Sequence, residues 1–354
     1  MRRTAILDPR ATATLDDYVV DAAWAPDGRA LVVVGGEGRT FLIAPRDLEA
    51  RGAALDVRPL PAHGMGGLAC AWSPKGDVFA TSGQDNAVVL RAASDGGERA
   101  RLRPGMGWSE HLAFSPDGAR LAIATGKALA LWSAADGALQ HRFEPLGGAI
   151  AALAWDKPGR DLGAAINGGV VVHRVEGTTF ACRHYKWSGQ CLTVAFSPNG
   201  RTLATGLQDG SVHFWYLGSG KDSQMRGYPS RVNLTSWSGD GRYLATNAGP
   251  DVVVWDFGGR GPEGSRPVQL RGHSDALECL AFQPGGGYLV SAGRDWRLSL
   301  WQPAKAQAAL DAHLTDSEAS CLRWSPDGRY VAVGERKGRF TVFALDYPGG
   351  AAAR

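Results

Sequence analysis

The 354-residue chain has few cysteines, no concentration of charge of one sign, and no apolar run long enough to cross a bilayer. Nowhere do about 18 apolar residues follow one another, and the start, Met1-Arg2-Arg3-Thr4-Ala5-Ile6-Leu7-Asp8-Pro9, has no apolar stretch of signal-peptide length. A soluble cytoplasmic protein without a membrane partner is therefore expected. Lys and Arg are dispersed without a run or basic tail, and the net charge is +3, so nucleic acid is not an implied partner. The five cysteines include no CxxC pair and read as buried free thiols. Gly-x-Ser-x-Gly, HExxH and phosphate-loop patterns are absent as well, so no enzyme and no cofactor is expected.

What is present is repetition. Eight times an aromatic residue is followed four positions later by glycine: Trp24/Gly28, Trp72/Gly76, Phe114/Gly118, Trp155/Gly159, Phe196/Gly200, Trp237/Gly241, Phe282/Gly286 and Trp324/Gly328. Successive glycines are 48, 42, 41, 41, 41, 45 and 42 residues apart, which is one supersecondary unit copied along the chain. Each copy opens with a short apolar run, such as 277–282, 190–196 or 149–155, that is too short for a helix and apolar on both faces. A Pro-Asp-Gly turn follows, as in Ser325-Pro326-Asp327-Gly328, then a second apolar strand, a polar turn such as Gln208-Asp209-Gly210, and an alternating third strand such as Asp251-Val252-Val253-Val254-Trp255. With a polar outer strand, four antiparallel strands per roughly 43 residues read as a propeller blade. The fold class is all-β: one eight-bladed β-propeller, with seven blades plus an irregular first repeat as the alternative.

The repeats fall at roughly 16–62, 63–104, 105–145, 146–186, 187–227, 228–272, 273–314 and 315–345. Only nine residues follow the last third strand, Arg339 to Leu345. The fourth strand of blade 8 must then come from the amino terminus, within 3–15, a closure that protects edges able to template aggregation; 346–354 is a tail.

On these residues the chain resembles the WD40 family. Blade 7 carries Gly272-His273, Ser291, Asp295 and Trp301 where that family places its Gly-His loop, strand Ser/Thr, turn Asp and Trp, and the resemblance implies a hydrogen-bonded relay among His273, Ser291, Asp295 and Trp301. Trp255-Asp256 is the literal dipeptide. Blade 2 keeps His63, Thr81 and Asp85 but has Arg91 for the Trp; blade 5 keeps Thr205, Asp209 and Trp215 but has Trp187 for the His. Those departures put the relay in question there.

Two other patterns carry little chemistry. Gly259-Arg260-Gly261-Pro262-Glu263-Gly264 fits GxGxxG but runs into a strand, Pro267 to Leu270, where a dinucleotide loop must open a helix. It reads as an extended loop. Cys182, His184 and Cys191 are close in sequence and are thiolate and imidazole donors in type, but Cys191 starts a buried strand while Cys182 and His184 fall on the outer strand and loop, so no metal is expected. Nine tryptophans take repeat positions and read as core; Trp108, Trp187 and Trp296 fall in loops.

The family resemblance implies a binding face made by the loop before each first strand and the turn between second and third strands. Carried over by position, Gln84, Gln208, Arg294 and Arg336 come from the turns, and Tyr18, Trp108, Glu110, Gln190, Arg231, Asn233, Glu278 and Glu318 from the loops, with Trp296 on the same rim. Aromatic and Arg side chains favour interfaces, and the mixed charge favours a protein or peptide partner over a phosphate backbone. The expectation is a non-catalytic interaction scaffold, a monomer by itself. Two alternatives remain. The stretch Lys221 to Thr246, with Gly227-Tyr228-Pro229, resembles bacterial WD40 proteins encoded beside metallochaperone-type GTPases, implying an accessory role in metal homeostasis. The other is a metal-dependent propeller hydrolase, which needs ligands converging on the channel.

Overall fold

The computed structural model describes residues 5–259 and 261–346. These form strands and turns throughout, and among the described residues no helix is long and apolar enough to cross a membrane. The strands make eight separate antiparallel sheets, one per repeat. Seven are four-stranded; in blade 4 one 16-residue element, Asp161–Glu176, supplies both middle strands. It doubles back at Gly168 and Gly169 (φ 96 and 135), and Val175 N–H donates to Arg160 O, as Leu217 does to Arg201 in blade 5. The first strands of successive blades touch one another around the ring, as Val19–Trp24 touches both Gly67–Trp72 and Ala319–Trp324, so they line the centre.

The apolar character of both faces of each blade follows from this arrangement. The buried core divides into eight clusters, each shared by two neighbouring blades. Within the second strand of blade 1, Leu31 and Val33 pack with Ala332 and Phe340 of blade 8, while Val32 and Val34 pack with Phe79 of blade 2. A period-2 strand buried between two sheets needs apolar residues at every position.

The repeat glycine closes the first hairpin. In every blade the N–H four residues after the aromatic donates to the carbonyl three residues earlier, as Gly28 does to Ala25 (2.9 Å) and Gly328 to Ser325 (2.9 Å). The glycine takes positive φ in seven blades; in blade 7 that role falls instead on Gly285 (φ 66), one residue before Gly286. The aromatic serves the joint between blades. Trp24, Trp155, Trp237 and Trp324 donate their indole N–H to the carbonyls of Arg323, Ala113, Ala195 and Ala281, each just before the repeat aromatic of the preceding blade, at 3.0 to 3.2 Å. Each bond contributes about 0.5–1.5 kcal/mol. Blades 3, 5 and 7 have Phe and lack this bond, and the indole of Trp72 is buried without a partner.

The ring closes as expected. Ile6–Thr14 pairs antiparallel with Arg339–Asp346, from Ile6 opposite Asp346 to Thr14 opposite Arg339, and completes blade 8. Leu7 is fully buried in the joint between blades 7 and 8, and its N–H donates to Asp311. Arg3 and Thr4 at the start of the expected closing segment, and 347–354 of the tail, lie outside the described residues.

Two strand expectations are corrected. In the blade 5 run 190–196 the first strand is reduced to Ala195–Phe196 and a single bridge from Cys191 to Leu207, with Gln190 ending the outer strand of blade 4; between them the Thr193 hydroxyl takes the Gly206 N–H that a ladder carbonyl would otherwise accept (2.8 Å). Trp187 lies in the outer strand Thr179–Gln190, not in a loop.

Candidate functional site

The relay of blade 7 is formed. Asp295 is 3.0 Å from His273 Nδ1, His273 Nε2 is 2.8 Å from the Ser291 hydroxyl, and Trp301 Nε1 donates to that hydroxyl at 2.8 Å. The consistent proton order runs from indole to hydroxyl to imidazole to carboxylate, since the Asp295 carboxylate can only accept, which places a proton on His273 Nδ1 and leaves Nε2 of that tautomer to accept from the Ser291 hydroxyl. Burial alone would raise the Asp295 carboxyl, but bonds from His273 and the Ser274 N–H hold it below its ordinary value.

Blades 2 and 6 reach the same end differently. In blade 2 the His63, Thr81 and Asp85 links are present (3.1 and 3.0 Å), so the loss of Trp does not break them. Arg91 instead points at backbone, donating to Pro61 O and Gly96 O while fully buried, and desolvation lowers its pKa. In blade 6 Tyr228 replaces the His: it contacts the Thr246 hydroxyl at 3.0 Å and accepts from Trp255 Nε1 at 2.8 Å. The signal for this was its offset of nine residues before the repeat aromatic, shared with His63 and His273. In blade 5 the relay is absent. Trp187 stacks on His213 (3.6 Å between centroids), neither indole N–H nor imidazole has a hydrogen bond, and burial pushes His213 down to about 4. Asp222 sits 3.1 Å from His213 Nε2, but not in hydrogen-bonding geometry.

Backbone bonds between turns and loops build one face. In blades 1, 2, 5, 7 and 8 the turn donates an N–H to the preceding loop: Gly36 to Tyr18, Gln84 to Gly66, Gln208 to Gln190, Arg294 to Ala276 and Arg336 to Glu318. The fourth turn residue is left-handed in each: Gly38, Asn86, Gly210, Trp296 and Gly338. Its carbonyl reaches the next blade, Gly38 to His63, Trp296 to Thr315 and Gly338 to Leu15, tying the loops into a rim. Trp296 is the exception in kind, a bulky residue at φ 60 where glycine or asparagine is at ease.

The sequence-selected residues on this rim separate into two groups. Arg294 and Arg336 are not free: they pair with Glu278 and Glu318 (3.0 Å for the second pair), which raises the Arg294 pKa. Asn233 accepts from the Asn247 amide, and Gln190 donates to Cys191 O. Among the described residues Arg231 and Glu110 make no ion pair. The second group is apolar and exposed: Trp108 (50%), Trp296 (46%) and Tyr18 (48%), joined by two residues not selected from sequence, Met65 (60%) and Met106 (93%). They stand on blades 7, 1, 2 and 3, an arc over one half of the ring. Tyr18 lies over Gly36, where a Cβ would fall 1.6 Å from its Cζ, and Lys337 of blade 8 sits 5.6 Å from the Trp296 ring. Trp108, Met106 and Glu110 border a shallow hollow of about 310 Å³.

The charged pair on the inner strands is Asp21 with Arg323 (2.5 Å), and Asp21 also accepts the Cys70 N–H (3.0 Å). Among the described residues no group of three or more His, Cys, Asp or Glu side chains is placed to hold a metal. Cys182 is exposed and Cys191 buried, so the sequence triplet is not assembled.

The WD domain, G-beta repeat family matches residues 56–90, 180–216, 264–302 and 304–343. Each span runs from the outer strand of one blade, or the approach to it, through the third strand of the next. The chain is similar to THO complex subunit 3 of Arabidopsis thaliana, 25% identical over 121 residues, 34% of this chain and 38% of that protein. It is also similar to the Intraflagellar transport protein 122 homolog of Mus musculus, 24% identical over 119 residues, covering 33% and 9%. Pre-mRNA-processing factor 19 homolog 2 of Arabidopsis thaliana is 30% identical over 127 residues, covering 34% and 22%. The matches thus span well under half of these relatives. Among solved structures, the computationally designed Ika8 protein superposes with a TM-score of 0.79 at 18% identity over 96% of this chain and 100% of that one, a likeness of fold. Four matched repeats, set in a closed ring of eight such units, make this chain a WD40-repeat β-propeller.

Proposed function

We propose that this protein is a non-catalytic scaffold that binds protein or peptide partners on the loop face, through the arc from Trp296 across Tyr18 and Met65 to Met106 and Trp108. The observation that carries this is the concentration of exposed large apolar side chains on one half of one face, at a site whose charges are largely neutralised in place. Burying an aromatic anchor from that arc contributes about 25 cal/mol per Å², and aromatic residues are over-represented among interface hot spots. Arg294 and Arg336, already paired, act as a polar rim rather than as free charges. The names of relatives in the THO complex and in intraflagellar transport are in keeping with assembly as the shared theme.

Pull-down with the wild type against a Trp108→Ala, Trp296→Ala, Arg294→Ala triple variant tests the reading. Loss of the partners recovered by the wild type is expected. Equal recovery of every partner would move the binding surface elsewhere.

A further inference from the structure

A second surface lies on the side of the ring, around the outer strand of blade 6, Val268–Leu270. This is the shortest outer strand, and it is the free edge of its sheet. On one side of it a groove of about 700 Å³ runs between Arg266, Gln269 and Arg271 and the Gln307 segment of blade 7. A narrower cleft of about 270 Å³ shares Pro267 and Gln269 with that groove and continues to Tyr228, Pro229 and the edge of Trp255, with Arg226 at its mouth. The surface is cationic at the groove and aromatic in the cleft. Arg226 and Arg266 are exposed and in no ion pair among the described residues, and the one carboxylate bordering the surface, Asp251, stands 3.5 Å from Arg271.

We infer that this rim groove is a separate binding site for an acidic peptide segment in extended conformation, independent of the loop face. An extended chain rises about 3.3 Å per residue and sends alternate side chains to one side. Lying along the blade 6 edge, it sets an apolar side chain into the Tyr228, Pro229 and Trp255 cleft and carboxylates against Arg226, Arg266 and Arg271. Pro267 withholds a backbone N–H at the start of the edge strand, so backbone pairing is limited and side chains set the selectivity. A phosphate backbone is the less suitable occupant, because the narrow aromatic cleft is bordered by Asp251 and admits one apolar side chain.

The test is fluorescence anisotropy with a labelled peptide of one central phenylalanine between two short runs of glutamate. Saturable binding at low salt is expected, weakening by about tenfold or more on raising salt to a few hundred millimolar, as exposed charge pairs require. The R266E/R271E variant, altered at two exposed positions and checked for an unchanged melting curve, should lose binding by about tenfold or more. Single Arg266→Gln and Arg271→Gln variants should each show a smaller loss in the same direction. The Trp108→Ala, Trp296→Ala, Arg294→Ala variant should bind this peptide like the wild type, which separates failure here from failure of the loop face. Equal binding by R266E/R271E, equal binding of a peptide with glutamine for glutamate, no saturable binding, or tighter binding of a single-stranded oligonucleotide would each overturn the inference.

Discussion

Replacing Ser291 by alanine removes one buried hydroxyl and leaves two groups without partners, because that oxygen both receives the Trp301 N–H and contacts His273 Nε2. Trp301 and Ser291 are fully buried, so no water replaces the lost bonds. At about 1–3 kcal/mol for each orphaned group, the cost is about 2–6 kcal/mol. Thr81→Val in blade 2 is the matched control: it also removes only the hydroxyl, but Arg91 already bonds to backbone, so His63 alone loses a partner. That change should cost about 1–3 kcal/mol. With about 2.1 cal/mol/K of unfolding entropy per residue, 1 kcal/mol in this chain shifts the midpoint by roughly 1.3 °C. Thermal melts should therefore show a drop of roughly 3–8 °C for Ser291→Ala and roughly 1–4 °C for Thr81→Val. A cycle adding Trp301→Phe, which deletes only the N–H donor and some ring area, should give a coupling of about 1–2 kcal/mol with Ser291→Ala. Equal costs for Ser291→Ala and Thr81→Val, together with zero coupling, would refute the relay as a stabilising unit.

Three further outcomes follow from the same geometry. His173 and His213 are each pushed down to about 4 by burial, His173 also by the neighbouring His141. Because the unfolded value is about 6.5, their contribution is fully present above that pH and is lost as pH falls toward 4; by pH 5 the loss is about 2 kcal/mol each, and His173→Phe with His213→Phe should flatten the dependence in denaturant melts at pH 7 and pH 5. Of the five thiols Cys182 is exposed and the other four are buried, so a thiol reagent should release one equivalent from the native protein and five in denaturant; two or more fast equivalents from the native protein would contradict the packing. Leu7→Ala should cost about 2–5 kcal/mol and, by loosening the closing strand from blade 8, give concentration-dependent species in light scattering.

Much of this architecture is legible in sequence because each blade obeys a local rule. The aromatic, the Pro-Asp-Gly turn and the alternating third strand are short-range signals. What is illegible depends on contacts between distant residues. Arg294 and Glu278 read as opposed partner-binding charges, and only the turn folding back on the first strand makes them a pair. Trp187 looks like a loop residue because the outer strand of blade 4 runs to Gln190. Arg91 gives no hint that carbonyls of the preceding loop and the following turn would accept from its two terminal nitrogens. Met65 and Met106 escape notice because isolated methionines carry no periodic signal, and their exposure emerges only when the loops are placed.

The loop-face reading is tested most directly by site-specific photo-crosslinking in cells. A photoreactive phenylalanine is placed at position 108 or 296, and in parallel at positions 117 or 240 in the hairpin turns. One or more shared protein adducts are expected from 108 and 296, competed by excess unlabelled wild-type protein, and none of these from 117 or 240. Adducts from the hairpin positions with none from 108 and 296 would contradict the loop-face reading.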